Sequence, residues 1–185
     1  MKLISLITFA LSSMFGISQV SSANGLFARE YSKEITIPLA KEYLATEVLK
    51  PTGDEVLVFE IDALTAATSG ELTCVMYNCS TKNMNGLIFA FYGNEVAESG
   101  MSYKAYSFKH FTKAQGIELF QKIDNLITSN TTSDLIEKNI TFKYEDVTFI
   151  IYRTLETKID IVWNGFNAQW DHSTLKTTLR KLEKK

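Results

Sequence analysis

The sequence predicts an α+β domain: an antiparallel sheet of about six or seven strands with two or three helices packed on one side, after a cleaved signal peptide. Three observations lead there. Apolar residues alternate with a period of two in run after run, the mark of strands with one face in a core. The links between the first four runs are short, polar and glycine-bearing, which suits a meander better than parallel crossovers of about a dozen residues or more. Helical spacing is confined to a few stretches bounded by capping or terminating residues.

The opening residues do not belong to that domain. Met1-Lys2 is a short basic start, Leu3 to Ile17 is an apolar run broken only by small or hydroxyl residues, and Ser21-Ser22-Ala23 puts small residues where a signal peptidase reads. This pattern predicts a secretory signal peptide over 1–23, cleaved after Ala23, and a single domain over 24–185. An uncleaved anchor would need ~20 apolar residues, and this run holds roughly 15. No second apolar segment approaches that length. The mature chain is therefore expected to be secreted or periplasmic, with no transmembrane segment.

Along the rest of the chain, Pro38 sits well as a first-turn residue of a helix in which Ala40, Leu44 and Val48 recur at four-residue spacing, and Pro51 lies just past its end. Four strands follow. Leu57, Phe59 and Ile61 alternate with Val56, Val58, Glu60 and Asp62. Leu72, Cys74 and Met76 alternate with Thr73, Val75 and Tyr77. The run from Leu87 to Tyr92 is apolar on both faces, as a central strand would be. Met101, Tyr103 and Ala105 alternate with Ser102, Lys104 and Tyr106. Thr112 and Gln115 then form a capping box for a helix with Ile117, Phe120, Ile123 and Ile127 on one face. Asp134 to Lys138 adds a helical turn, and Ile140-Thr141-Phe142 a short strand. Phe149, Ile151 and Arg153 and then Ile159, Ile161 and Trp163 make a hairpin whose second strand stops at Asn164-Gly165. Asp171 or Ser173 caps a last helix with Leu175, Leu179 and Leu182 on its buried stripe.

Composition narrows the function classes. The chain has 185 residues, 45 % of them hydrophobic, with a net charge of −2 that becomes −3 when Lys2 leaves. A pI of about 5.8 argues against a nucleic-acid partner. Lys176, Arg180, Lys181, Lys184 and Lys185 read as a solvated basic helix end. Cys74 and Cys79 are the only cysteines, and export to an oxidising compartment predicts a disulfide between them. Zinc would need two further ligands, and His110 and His172 lie far off in sequence, so no metal and no cofactor are expected.

Catalytic patterns are scarce. There is no G-x-S-x-G elbow and no glycine-rich phosphate loop. Ser173 and Lys176 have S-x-x-K spacing but lack a partner motif. Glu60 and Asp62 share a strand face roughly 7 Å apart by the strand rise, a spacing that could serve paired acid and base roles, although alternation alone predicts a solvated face. Sequons at Asn78, Asn130 and Asn139 match chance.

Two features remain. Trp163, Asn164, Phe166, Asn167, Trp170, Asp171 and His172 crowd a predicted loop between strand and helix, where aromatic anchors ringed by amides would form a binding surface. The plainer alternative makes Trp163 and Phe166 core and Trp170 a pin for the last helix. Phe89, Phe91, Tyr92, Tyr103, Tyr106, Phe108 and Phe111 could line an apolar cavity or simply fill the core. The expected function is an exported, non-catalytic protein that binds another macromolecule, as an immunity or inhibitor protein does, its protein partner unidentified. The alternatives are a carrier of an apolar small ligand and a hydrolase of envelope or extracellular polymers.

Overall fold

A computed structural model of the chain describes residues 34–66, 71–96 and 98–184. The predicted signal peptide lies outside the described residues. The fold is α+β, but the strands divide into two sheets rather than one. Sheet I is the meander β1 (Phe59–Ala66), β2 (Leu72–Cys79), β3 (Met84–Val96) and β4 (Ser102–Thr112). Sheet II is a second antiparallel meander of β5 (Ile140–Tyr144), β6 (Val147–Arg153), β7 (Thr157–Trp163) and β8 (Phe166–Asp171). Helix α2 (Lys113–Thr128) and the short α3 (Thr132–Glu137) connect the sheets, and α4 (His172–Lys184) closes the chain.

Helix α1 precedes sheet I. Residues 34–43 are α-helical and Leu44–Leu49 widen into a π-helical turn. Pro38 thus lies within a helix already under way rather than opening it. The helix ends at Lys50 in the left-handed region, φ 45°, with Pro51 behind it. Lys82 reaches over from the β2–β3 turn and donates to the Leu49 carbonyl at 2.6 Å, satisfying one of the acceptors a helix end leaves open.

Sheet I is covered on both faces, which corrects the expectation of helices on one side only. On one face Val75, Tyr77, Cys79 and Ile88 pack against Ala40, Leu44 and Leu49 of α1. On the other, Leu72, Cys74, Leu87, Phe89, Phe91 and Phe111 meet α2, α4 and the inner face of sheet II. This explains why β3 is apolar on both faces: it pairs with β2 and β4 and has a core above and below. Sheet II is one-sided, its β6 and β7 alternating buried and half-buried residues along their length.

Local sequence fixes the joints. Thr112 and Gln115 make the expected capping box, and Thr131 with Asp134 makes a second one for α3. At Leu64 the β1–β2 register shifts through a bulge. There Lys181 of α4 donates to the Leu64 carbonyl, and Thr178, fully buried, bonds the Thr65 hydroxyl at 2.5 Å. One member of the basic tail is thus a structural bolt. A second bolt joins the sheets: Lys109 on β4 pairs with Glu145 at 2.8 Å and Asp146 at 2.6 Å in the β5–β6 turn, while Trp163 Nε1 donates to Asp146 at 2.8 Å.

The predicted disulfide is not formed. Cys74 and Cys79 are free thiols, both buried. They stand five positions apart on one strand, and an odd separation sends their side chains to opposite faces: Cys74 into the core shared with sheet II, Cys79 into the α1 core. With ~16 Å of strand rise between them, no disulfide geometry can be reached. Burial also pushes the Cys74 thiol well above its ordinary range. The native protein should therefore resist alkylation at both thiols and gain two adducts only after denaturation. A native mass two hydrogens light would contradict this.

Under α1, the buried Tyr77 and the half-buried His110 form a pair, hydroxyl to Nε2 at 2.8 Å. Burial pushes Tyr77 up to about 12, with Cys79 and Tyr43 adding to it, and lowers His110 against the opposing charge of Glu145. A histidine lowered in the folded state contributes stability that is fully present above the unfolded value of ~6.5 and lost as pH falls from there through the lowered folded value. A tyrosine raised in the folded state contributes stability present below ~10 and lost as pH climbs from there toward 12. Unfolding free energy measured against pH should show a plateau between these limits. Tyr77→Phe should shrink the alkaline decline and leave the plateau in place.

Candidate functional site

The seven residues at Trp163 to His172 do not form a loop. Asn164 and Gly165 have φ of 48° and 81°, and Trp163 pairs with Phe166, which makes a two-residue type I′ hairpin and sends the chain back as β8. The strand separates the seven side chains. Phe166 and Trp170 point into the core, and Asn167 points to solvent. Trp170 contacts Phe89 and Phe120 at ring-centroid distances of 5.6 and 5.9 Å and so joins sheet II to sheet I and α2.

The ends of β8 enter different surroundings. At one end Trp163 and Asn164 stand near Asp146 and Ser107. At the other, Asp171 caps α4, accepting from the Thr174 amide at 2.7 Å and the Ser173 hydroxyl at 2.6 Å. Burial works to raise Asp171, but these bonds and the charge of Lys158 outweigh it and hold the carboxyl below its usual range. His172 turns away from Asp171 and bonds Asp124 of α2 at 2.6 Å. Asp171, His172, Ser173 and Lys176 line an open cleft of about 450 Å³ with Arg153 and Thr157. Its polar groups are already engaged: Arg153 with Thr157, Ser173 with Asp171, and Asp124 with both His172 and Lys176. Ser173 is thus tied to the α4 cap through the Asp171 carboxylate.

The other predicted pair behaves differently. Along the start of β1 and the residues leading into it, Leu57, Phe59, Ile61 and Ala63 are half-buried, while Val56, Val58, Glu60 and Asp62 are exposed. Val56 is 78 % and Val58 55 % exposed. The stripe is held in place. Val58 receives an amide bond from Ser80 at 3.1 Å and donates to the Thr81 hydroxyl at 3.2 Å. Upstream, Glu55 pairs with Lys82 at 3.1 Å and accepts from the Thr52 amide, and these bonds hold its carboxyl low. Downstream, the Leu64 bulge turns the same face into the core beneath α4.

Glu60 and Asp62 thus share one wall of a cleft of about 270 Å³, with Met76 and Asn78 of β2, Asn85 of β3 and Lys113 at the start of α2 around it. The alternation that puts the four exposed residues on one face was legible in the sequence. Lys113, Asn78 and Asn85 were not, because only the meander and the turn into α2 bring them there. Among the described residues, no cluster of three or more His, Cys, Asp or Glu is placed to hold a metal ion, and no helix is long and apolar enough to cross a membrane. Comparison with models of protein families, with curated proteins and with solved structures finds no match to this chain.

Proposed function

We propose that the protein is an exported, non-catalytic binding protein that engages another macromolecule, in the manner of an immunity or inhibitor protein. The observation that carries this reading is the fixed, exposed stripe on the outer strand of sheet I. Exposed apolar side chains beside charged ones, held by backbone and side-chain bonds, are what a recognition surface presents without ordering cost.

The alternatives have less support. Phe89, Phe91 and Phe111, which could have lined an apolar ligand cavity, are fully buried and packed on one another. Glu60 and Asp62 line a cleft, but both side chains are exposed to water there, and an acid–base pair gains most where water is excluded. Native mass spectrometry of the mature protein, purified mildly from its producing cells, tests the reading. A chain beginning at residue 24 with a macromolecular partner at fixed stoichiometry supports it. A chain without a partner in every envelope and extracellular fraction overturns it, and a bound lipid-sized mass favours the carrier instead.

A further inference from the structure

We infer that the partner docks as an extended basic segment, adding to the outer edge of β1 as a fifth strand of sheet I; this rests on the binding-protein reading above. Among the described residues β1 is the outer strand of its sheet, paired on one side only with β2. An outer strand offers a row of backbone donors and acceptors, and natural proteins close such rows with bulges, charges or a covering element. Here the second half of β1 is closed: the Leu64 bulge breaks the ladder, and Lys181 and Thr178 of α4 hold it. The first half, with the residues leading into it, has no such cover among the described residues, and it carries the exposed Val56 and Val58.

The side chains specify what can add there. On an antiparallel partner strand, the residue opposite each β1 residue points to the same face, so cross-strand pairs decide the match. Reading from Asp62 back to Val56, the stripe presents acid, acid, apolar, apolar at every second position. The complementary strand is basic, basic, apolar, apolar at the same spacing. A second copy of this chain is a poor fit, because pairing two stripes sets each carboxylate against another carboxylate or against a valine. The same carboxylates thus discourage self-association and select a basic partner.

Two measurements test this together. The first uses a labelled synthetic peptide Lys-Thr-Lys-Thr-Val-Thr-Val, followed by anisotropy and by hydrogen exchange of the Phe59 and Ile61 amides, which face the outer edge because Val58, Glu60 and Asp62 bond toward β2. The expected result is saturable binding that weakens with salt, protects those amides and falls at least tenfold in the double variant Glu60→Lys, Asp62→Lys. The same variant should gain affinity for a peptide with Glu in place of Lys. Absence of binding at millimolar peptide, or binding indifferent to the charge reversal, overturns the inference. So do Phe59 and Ile61 amides that are already protected in the free monomer, which would mean that the chain covers its own edge. The second measurement repeats the native mass spectrum with the charge-reversed protein. A partner lost on reversal supports the inference. A partner retained overturns it and leaves the binding-protein reading standing. A homodimer abolished by the reversal overturns it in favour of self-pairing, and absence of any partner from the unaltered protein removes the broader reading instead. Unchanged thermal unfolding of the double variant excludes misfolding as the cause, since both side chains are exposed.

Discussion

Phe89→Ala is expected to destabilise the protein by about 4 kcal/mol, the cost of a large cavity in a core that cannot collapse around it. Phe89 is fully buried on β3 and touches four other rings: Phe91 at 6.3 Å, Phe111 at 5.2 Å, Phe120 of α2 at 6.0 Å and Trp170 of β8 at 5.6 Å. Truncation therefore removes packing from sheet I, the connecting helix and sheet II at once. For a domain of this size, that loss lowers the melting temperature by on the order of 10 °C. Phe108→Ala is the comparison. Phe108 is half-buried on the α1 side, where it stacks on Tyr43 at 5.1 Å, and its removal should cost clearly less. Urea unfolding followed by circular dichroism and by tryptophan fluorescence measures both. If the two sheets share one core as the ring contacts indicate, the two probes will coincide in the Phe89 variant. Separate transitions would show that sheet I and sheet II unfold independently.

The shared core also shows what the sequence did and did not disclose. Each strand of sheet I was legible, because alternation such as Leu57, Phe59 and Ile61 is a property of one strand and its own neighbours. The partition into two sheets was not. Between β4 and β5 the chain passes through α2 and α3, and no local pattern states whether the strand after a helix rejoins the old sheet or begins a new one. β8 is a different case. Phe166, Ala168 and Trp170 alternate with Asn167 and Gln169, and Asn164-Gly165 is the dipeptide a type I′ hairpin demands. The signal was present, but the small Ala168 and the amides resembled a loop. For the cysteines, export to an oxidising compartment points to a disulfide, but strand geometry overrides it. Once Cys74 and the residues around it are placed on a strand, the odd spacing to Cys79 already sends the thiols to opposite faces. Of the candidate surface, the sequence carried the stripe itself but not the cleft beside it, since only the turn that opens α2 brings Lys113 to the cleft that Glu60 lines.

Gly86→Ala should be the most damaging of the small substitutions, costing about 3 kcal/mol, at the upper end of what overpacking exacts. A methyl group built on Gly86 would lie 2.5 Å from the Phe111 carbonyl oxygen and 2.7 Å from Cε1 of Tyr77. The first contact is backbone of the paired strand β4, so it cannot be relieved by turning a side chain. The second is the ring whose hydroxyl bonds His110. Glycine is thus required here by close approach rather than by backbone conformation, and the space it leaves is what lets a tyrosine lie flat beneath α1. Gly93→Ala is the control. There the nearest atoms are two ring carbons of Phe166 at 3.2 Å, a side chain able to give by a few tenths of an ångström, and the cost should stay below about 1 kcal/mol. A second readout separates local from global damage. If the Gly86 variant displaces Tyr77 as the geometry requires, His110 becomes more hydrated and titrates closer to its ordinary value, so the acid decline in stability becomes shallower. Equal melting temperatures for the two alanine variants, or a Gly86→Ala protein whose His110 titrates as before, would show that the β3–β4 ladder can open around a methyl group and that the Tyr77 pocket does not depend on this glycine.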